Sequence, residues 1–333
     1  MGMHCLDFRT TGVHAPTIRF LALILSAIGC ILQAQIPPAG QNEDLPMIDQ
    51  SPAAYISARR IGDATITIIS EAAAVGSVGL PISEAEWRRA IPEADLRGMI
   101  SLGLNLVHIQ LGTASILVDS SGIDDPASGM AQLFATWFPA FTLSPGLHAG
   151  LAQRGIHPDT ITHVLITHAH ADHFYGVTTE RDGQRVACFP NARHLIGAGD
   201  WDRSQAQADA AVARTLGTIE QLHLLEVIHG EREVVPGVSM IPSPGETPGH
   251  SIVRVRSASQ SFYYLGDLFH YACEAEHPDW MDPGRDPETM RRSRDQLMAE
   301  AAATHALLVF THAPFPGWGR IVPTPTGYRW EWA

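Results

Sequence analysis

Apolar and polar residues alternate over residues 64–70 (ATITIIS), the two-residue period of a half-buried strand. Residues 104–110 and 115–119 carry strand signatures on either side of Gly112-Thr113, which predicts a hairpin. Residues 161–167 (ITHVLIT) form a short apolar strand that runs into a group of histidines. Further strands are expected at 193–196, 251–256, 261–265 and 306–311. The clearest helices cover 204–216 and 287–304, the second opening on Pro287, whose fixed φ suits a first turn. Residues 83–99 read as a helical stretch interrupted by Pro92. Strands and helices mix throughout with no fixed repeat, so residues 56–333 read as one α/β domain.

The front of the chain has a different character. Residues 20–32 (FLALILSAIGCIL) are apolar, follow Arg9 and Arg19, and are too short to span a bilayer comfortably. Small and polar residues come next, then Pro37-Pro38. This is the pattern of a signal peptide over residues 1–34 with cleavage near Ala34, and it predicts a periplasmic or secreted protein. Two alternatives stay open: a lipoprotein with Cys30 lipidated, in Ala27-Ile28-Gly29-Cys30, and a buried helix of a cytoplasmic protein. Residues 35–55, rich in Pro, Gln and Ala, read as a linker. No other apolar stretch approaches membrane length, so no membrane span is expected in the mature chain.

Composition narrows the function classes. Of 333 residues, 45% are apolar and 17% charged, a globular balance that excludes wholesale disorder. Lys and Arg total 22 against 35 Asp and Glu, a formal charge of −13, so nucleic acid is not an expected partner. Histidine, at 17, invites a search for metal ligands. The four cysteines include no Cys-x-x-Cys pair, which excludes a zinc ribbon; Cys188 and Cys273 are left as one disulfide or two free thiols.

The search ends at His168-Ala169-His170-Ala171-Asp172-His173, four ligand-type side chains within six residues just past a strand. In a tight strand-to-helix loop the first two imidazoles can meet on one metal while Asp172 and His173 face a second. One loop cannot close two coordination spheres. The later chain offers Glu246 and His250 in Gly-Glu-Thr-Pro-Gly-His, Asp267 after Tyr264-Leu265-Gly266, and His312 after Phe310-Thr311. There is no Gly-x-Ser-x-Gly nucleophile elbow and no phosphate-cradling glycine loop, so the expected nucleophile is water.

These motifs, with Leu117-Val118-Asp119, resemble the metallo-β-lactamase superfamily across about residues 60–330. The stretches from Gly266 to His270 and from His312 to Gly317 resemble its branch of organophosphate hydrolases and acyl-homoserine lactonases. The resemblance implies an αββα sandwich, two facing mixed β-sheets with helices outside. It implies two divalent ions, zinc first with manganese or iron as alternatives, and an activated water attacking an ester, lactone or phosphotriester. His168, His170 and Glu246 would hold the first ion, Asp172, His173 and His312 the second, with Asp267 bridging; Asp267 and Asp172 are the expected catalytic carboxylates.

One departure stands out. Most of the family carries a histidine where Glu246 lies, and His250 matches a histidine that is usually not a ligand. Glu246 is taken as the ligand, with His250 behind it or as the alternative ligand. A carboxylate there adds negative charge, which should make bound water less acidic and favour harder ions. His270 is a candidate to orient a ligand or donate to substrate. Phe174, Tyr175, Phe269, Tyr271, Trp280, Phe315 and Trp318 either line an apolar pocket for a small-molecule substrate or pack the core. The resemblance also leaves a homodimer open. The competing readings are an iron-dependent oxidoreductase of the persulfide dioxygenase kind on the same fold, and a metal-free binding protein.

Overall fold

A computed structural model describes residues 55–138, 140–201 and 209–333. The expected signal peptide, and all of the expected linker but Tyr55, lie outside the described residues.

The first sheet contains β1 (Ile56–Ile61), β2 (Ala64–Ser77), β3 (Met99–Leu111), β4 (Ala114–Val118), β5 (Ala140–Leu143) and β6 (His163–Ile166). A separate hairpin, β7 (Thr178–Arg181) with β8 (Gln184–Ala187), precedes β9 (Arg193–Gly197) and β10 (Leu225–Ile228), which complete that sheet. Its order is β1-β2-β3-β4-β6-β9-β10, with β5 paired to β2. The second sheet runs in sequence: β11 (Arg232–Val235), β12 (Val238–Pro242), β13 (Ser251–Ser257), β14 (Gln260–Tyr264), β15 (Leu307–Val309), β16 (Gly319–Thr324) and β17 (Gly327–Trp332). Both sheets are mixed. β4, β6, β9 and β10 pair parallel in the first, and β14 pairs parallel with β15 in the second.

The described helices are α1 (Glu84–Ala90), α2 (Met130–Trp137), α3 (Gly146–Gln153), α4 (Ala171–Phe174), α5 (Ala210–Gln221) and α6 (Pro287–Thr304). Strand alternation sorts side chains into layers. Ile66, Ile68, Ile109, Ile116 and Leu165 of the first sheet pack against Val238, Met240, Val253, Phe262 and Val309 of the second. On the outer face of the first sheet, Leu106, Leu117, Val164 and Ile196 meet Leu147 and Leu151 of α3 and Leu216 and Ile219 of α5. On the outer face of the second, Ile252, Tyr263 and Leu308 meet Met290, Leu297 and Ala301 of α6. This is the expected αββα sandwich.

Local signals explain which elements were legible. α6 has the expected bounds: Asp286 accepts the Thr289 N–H at 3.0 Å as N-cap, and Pro287 follows. The helical reading of 83–99 is corrected to one short helix, opened by the Ser83/Glu86 capping box and ended before Pro92, after which Met99 starts β3. The 204–216 helix is corrected to α5, capped by Asp209; residues 204–208 of that expectation lie outside the described residues. Cys188 and Cys273 are free thiols in different apolar clusters.

Candidate metal centre

The chemistry-bearing residues sit just past the carboxyl ends of strands. Asp119 follows β4, His168 follows β6, Asp267 follows β14 and His312 follows β15. The loop from β12 to β13 adds Glu246 and His250. His170 is the N-cap of the single turn α4, which carries Asp172 and His173. The first sheet thus supplies one half of the donor set and the second sheet the other.

Three groups of ligand atoms form, each with its atoms within 4.8 Å of one another: His168, His170, Glu246 and Asp267; Asp172, His173 and His312; and Asp267, His270 and His312. Asp267 joins them. Its Oδ2 lies 3.2 Å from His312 Nε2, 3.3 Å from His270 Nε2 and 3.8 Å from His168 Nε2, and its Oδ1 lies 3.4 Å from His173 Nε2. Asp172 Oδ2 lies 3.6 Å from both His173 Nε2 and His312 Nε2.

The residues fit a metal in three respects. Three atoms facing the centre, His173 Nε2, Glu246 Oε1 and Asp267 Oδ1, are buried without a hydrogen-bond partner, a costly arrangement for polar atoms that nothing binds. The donors are imidazoles and carboxylates, which suit divalent first-row ions. Three of the histidines have a fixed partner on the outer ring nitrogen. His173 Nδ1–H donates to Asp119 at 2.8 Å, and His312 Nδ1–H donates to the Gly103 carbonyl at 3.1 Å. Thr167 Oγ1 donates to Asp119 at 2.8 Å and accepts from His168 Nδ1–H at 3.1 Å. In all three imidazoles Nε2 is turned inward, His168 Nε2 lying 2.9 Å from His170 Nδ1 and His312 Nε2 3.2 Å from Asp267 Oδ2.

His250 differs. Its Nδ1–H donates to the Ser243 carbonyl at 2.9 Å, and its Nε2 accepts the Asp267 backbone N–H at 3.1 Å. Both ring nitrogens are engaged, which leaves neither for a metal. Glu246 Oε1, by contrast, lies 3.2 Å from His170 Nδ1 beside the first group.

The electrostatics follow from carboxylates and imidazoles packed without solvent. Burial lowers the His168 pKa well below the ordinary value, and its histidine neighbours add to this. Burial also pulls on His173 and His312, but Asp267 and Asp172 outweigh it: His173 is held well above the ordinary range and His312 at about 9. Burial opposes ionisation of Asp267, yet His312, His173 and His270 keep its carboxyl well below its ordinary value. Glu246 is likewise held ionised against burial, at about 2, chiefly by His170 beside its Oε1, with His270 and Arg285 assisting. The centre without metal therefore keeps its anions and gathers protons on histidines, which an incoming cation must displace.

Sequence reasoning missed the residues that hold this arrangement. Asp200 ties two loops together, accepting from Ala169 N at 2.9 Å, Thr247 Oγ1 at 2.6 Å and Gly249 N at 2.6 Å. Asn105, buried in β3, donates to the carbonyls of Thr311 and Ala313 on either side of His312. Arg285 pairs with Glu246 through Nε, so the expected extra negative charge at Glu246 is offset. An asparagine inside an apolar strand (LGLNLVHIQL) is a readable signal; Arg285 lies in no motif. The aromatic expectation divides. Phe174, Phe269 and Trp318 are core residues. Tyr175, Tyr271, Trp280 and Phe315 are partly buried at cluster edges. His270, 22% exposed and stacked on His312 at 5.5 Å, stands at the rim with His170, 43% exposed.

Comparisons with known proteins bear on the family and the fold. N-acyl homoserine lactonases of Bacillus cereus and of Bacillus thuringiensis subsp. kurstaki (AiiA) are 23% and 25% identical over 203 and 206 residues, each match spanning 59% of this chain and 76% of the relative. Among solved structures, the hydrolase AbOPH in the beta-lactamase superfamily matches with a TM-score of 0.70 at 20% identity, over 84% of this chain and 98% of that one. AidC, a dizinc quorum-quenching lactonase, matches with a TM-score of 0.66 at 20% identity, over 85% and 99%. A profile of the metallo-beta-lactamase superfamily matches residues 105–312, which run from the buried asparagine of β3 to the last histidine of the centre, and the chain belongs to that superfamily.

Proposed function

We propose that this metallo-hydrolase is a two-metal lactonase that opens the ring ester of N-acyl homoserine lactones with water, and that it acts outside the cytoplasm. The observation that carries the two-metal reading is the second complete donor group, Asp172, His173 and His312, which meets the first at Asp267. The substrate class is supported by the lactonase relatives, which are similar over 59% of this chain. Export rests on the signal pattern of residues 1–34.

His168, His170 and Glu246 would hold one divalent ion and Asp172, His173 and His312 the other, with zinc favoured by the imidazole-rich set and Asp267 shared. When bound, such ions polarise a scissile carbonyl and lower the pKa of water toward neutrality. The chain's own contribution is order. Asp119 fixes the ring of His173 and the loop of His168 through Thr167. Asp267 Oδ2 lies between His168 of the first group and His312 of the second, and its Oδ1 faces His173. His270, at the rim and 3.3 Å from Asp267, is placed to pass a proton to the leaving alkoxide as the ring opens.

The test is a substrate panel with metal control. N-hexanoyl homoserine lactone, an aryl phosphotriester and a persulfide are offered to the protein before chelation, after chelation, and after zinc or manganese is restored. Lactone opening that disappears on chelation and returns with metal is expected. Persulfide oxidation by an iron-loaded protein, or lactone opening indifferent to chelation, would overturn the proposal. The ligand set has its own check: Glu246→Ala should lose metal from the first site, whereas His250→Ala should keep its donors.

A further inference from the structure

Glu246 stands where the resemblance expects a neutral imidazole, and it is not alone in its pocket. Its side chain is fully buried. Arg285, on the segment leading into α6, donates through Nε to Glu246 Oε2, and its Nη1 lies 3.3 Å from Asp282 Oδ1. Glu246 Oε1 has no hydrogen-bond partner and lies 3.2 Å from His170 Nδ1. One carboxylate oxygen is thus consumed by the guanidinium and the other is left for the donor group. The backbone keeps the two residues in register. Asp286 N donates to the Gly245 carbonyl at 3.1 Å, and Ser293 Oγ of α6 donates to the Pro244 carbonyl at 2.7 Å. Gly245 has φ +142°, and a Cβ there would lie 2.5 Å from Met290 Cα, so only glycine lets the turn sit this close to α6.

We propose that Arg285 is a positioning residue of the metal centre, acting with Glu246 as a unit that replaces one neutral histidine. This rests on the reading of Glu246 as a ligand. Arginine is always charged, and here its Nε holds Glu246 Oε2 while Nη1 reaches the more exposed Asp282, so the Glu246–Arg285 pair has no net charge of its own, as imidazole has none. It also restricts Glu246 to one-oxygen ligation. Without Arg285 the carboxylate brings both oxygens and a full negative charge to the ion, which favours a harder, higher-coordinate metal such as manganese over zinc.

The experiment measures bound zinc and manganese per chain after equilibration of the full protein with equal amounts of both. Cobalt-substituted samples report coordination by their visible absorption, and a thermal melt of each metal-free variant reports folding. Arg285→Gln is expected to lower zinc affinity by about 10-fold to 100-fold, the range for lost outer-shell partners, and to raise the manganese share. Arg285→Lys, which keeps the charge and is the gentler change should Arg285→Gln fold poorly, is expected to retain most of the zinc. Glu246→His alone leaves a buried arginine facing an imidazole and a cation, and should bind zinc poorly. Glu246→His combined with Arg285→Gln should bind it well. Wild-type metal content, metal ratio and cobalt spectrum in Arg285→Gln, with Glu246→Ala still losing metal, would overturn the role of Arg285 while leaving Glu246 a ligand. Full metal in Glu246→Ala would overturn the ligand reading itself.

Discussion

At the scale of single residues, the centre is set by who holds the outer nitrogen of each histidine. Asp119 is fully buried, adopts a positive φ of 61°, and accepts from Thr167 N, Thr167 Oγ1 and His173 Nδ1. An asparagine has the same shape but offers one oxygen and an NH2 group. Asp119→Asn therefore sets a donor against either the Thr167 or the His173 hydrogen, and His173 loses its fixed tautomer. We expect metal affinity at the second donor group to fall by about 10-fold to 100-fold, read by competition with a chelator of known affinity. An unchanged affinity would mean that Asp119 only packs. The donors themselves were legible at this scale because four of them crowd into six residues and the rest follow recognisable turns. Asp200 and Arg285 were not. Each is an ordinary charged residue in sequence and gains its role only from a loop that the fold brings within hydrogen-bond distance.

At the scale of elements, the strand ends place the loops and leave no room to spare. Gly197 closes β9 at an ordinary φ of −64°, yet a Cβ there would penetrate the Gly249 carbonyl oxygen. Gly197→Ala must push the turn that carries Glu246 and Gly249 away from the end of β9, at a cost of about 1–3 kcal/mol typical of overpacking. A lower denaturation midpoint together with weaker metal binding is the expected outcome; a fully wild-type midpoint would contradict the close approach. β2 carries a second feature, the fully buried Glu71 beside a register shift, which accepts from Ser121 Oγ. Burial, reinforced by Asp124, raises its pKa from 4.5 to about 8. Between those values the folded chain keeps a proton that the unfolded chain has released, so this group's stabilisation is whole below about pH 4.5 and is lost as pH rises toward 8. Relative to Glu71→Gln, the wild type should lose stability over that interval in denaturant melts at pH 5, 6.5 and 8. A constant difference would refute the shift. Elements with caps or clean alternation, such as α6 and the β3–β4 hairpin, were readable in advance. β1, β5, β16 and β17 escaped because charged or proline residues interrupt them or because they are too short for periodicity to show.

At the scale of the whole molecule, neither sheet builds the centre alone. The first brings His168, His170, Asp172 and His173; the second brings Glu246, Asp267 and His312. Metal therefore binds only the packed sandwich and should stabilise it, by about 2.7 kcal/mol when free metal is 100 times its dissociation constant. Chelation should lower the melting temperature and zinc should restore it. A melt insensitive to both would detach the ions from the fold. The formal charge of −13 is consistent with a small substrate rather than a polyanion. No helix among the described residues is long and apolar enough to cross a membrane. The family and its four layers were legible from motif order, whereas the charge balance at Glu246 required the three-dimensional neighbour Arg285. The most direct test of the central claim is metal identity and stoichiometry, by elemental analysis of protein purified without added metal. Two divalent ions per chain, zinc or manganese, are predicted; a single iron, or no metal at all, would contradict the two-metal hydrolase.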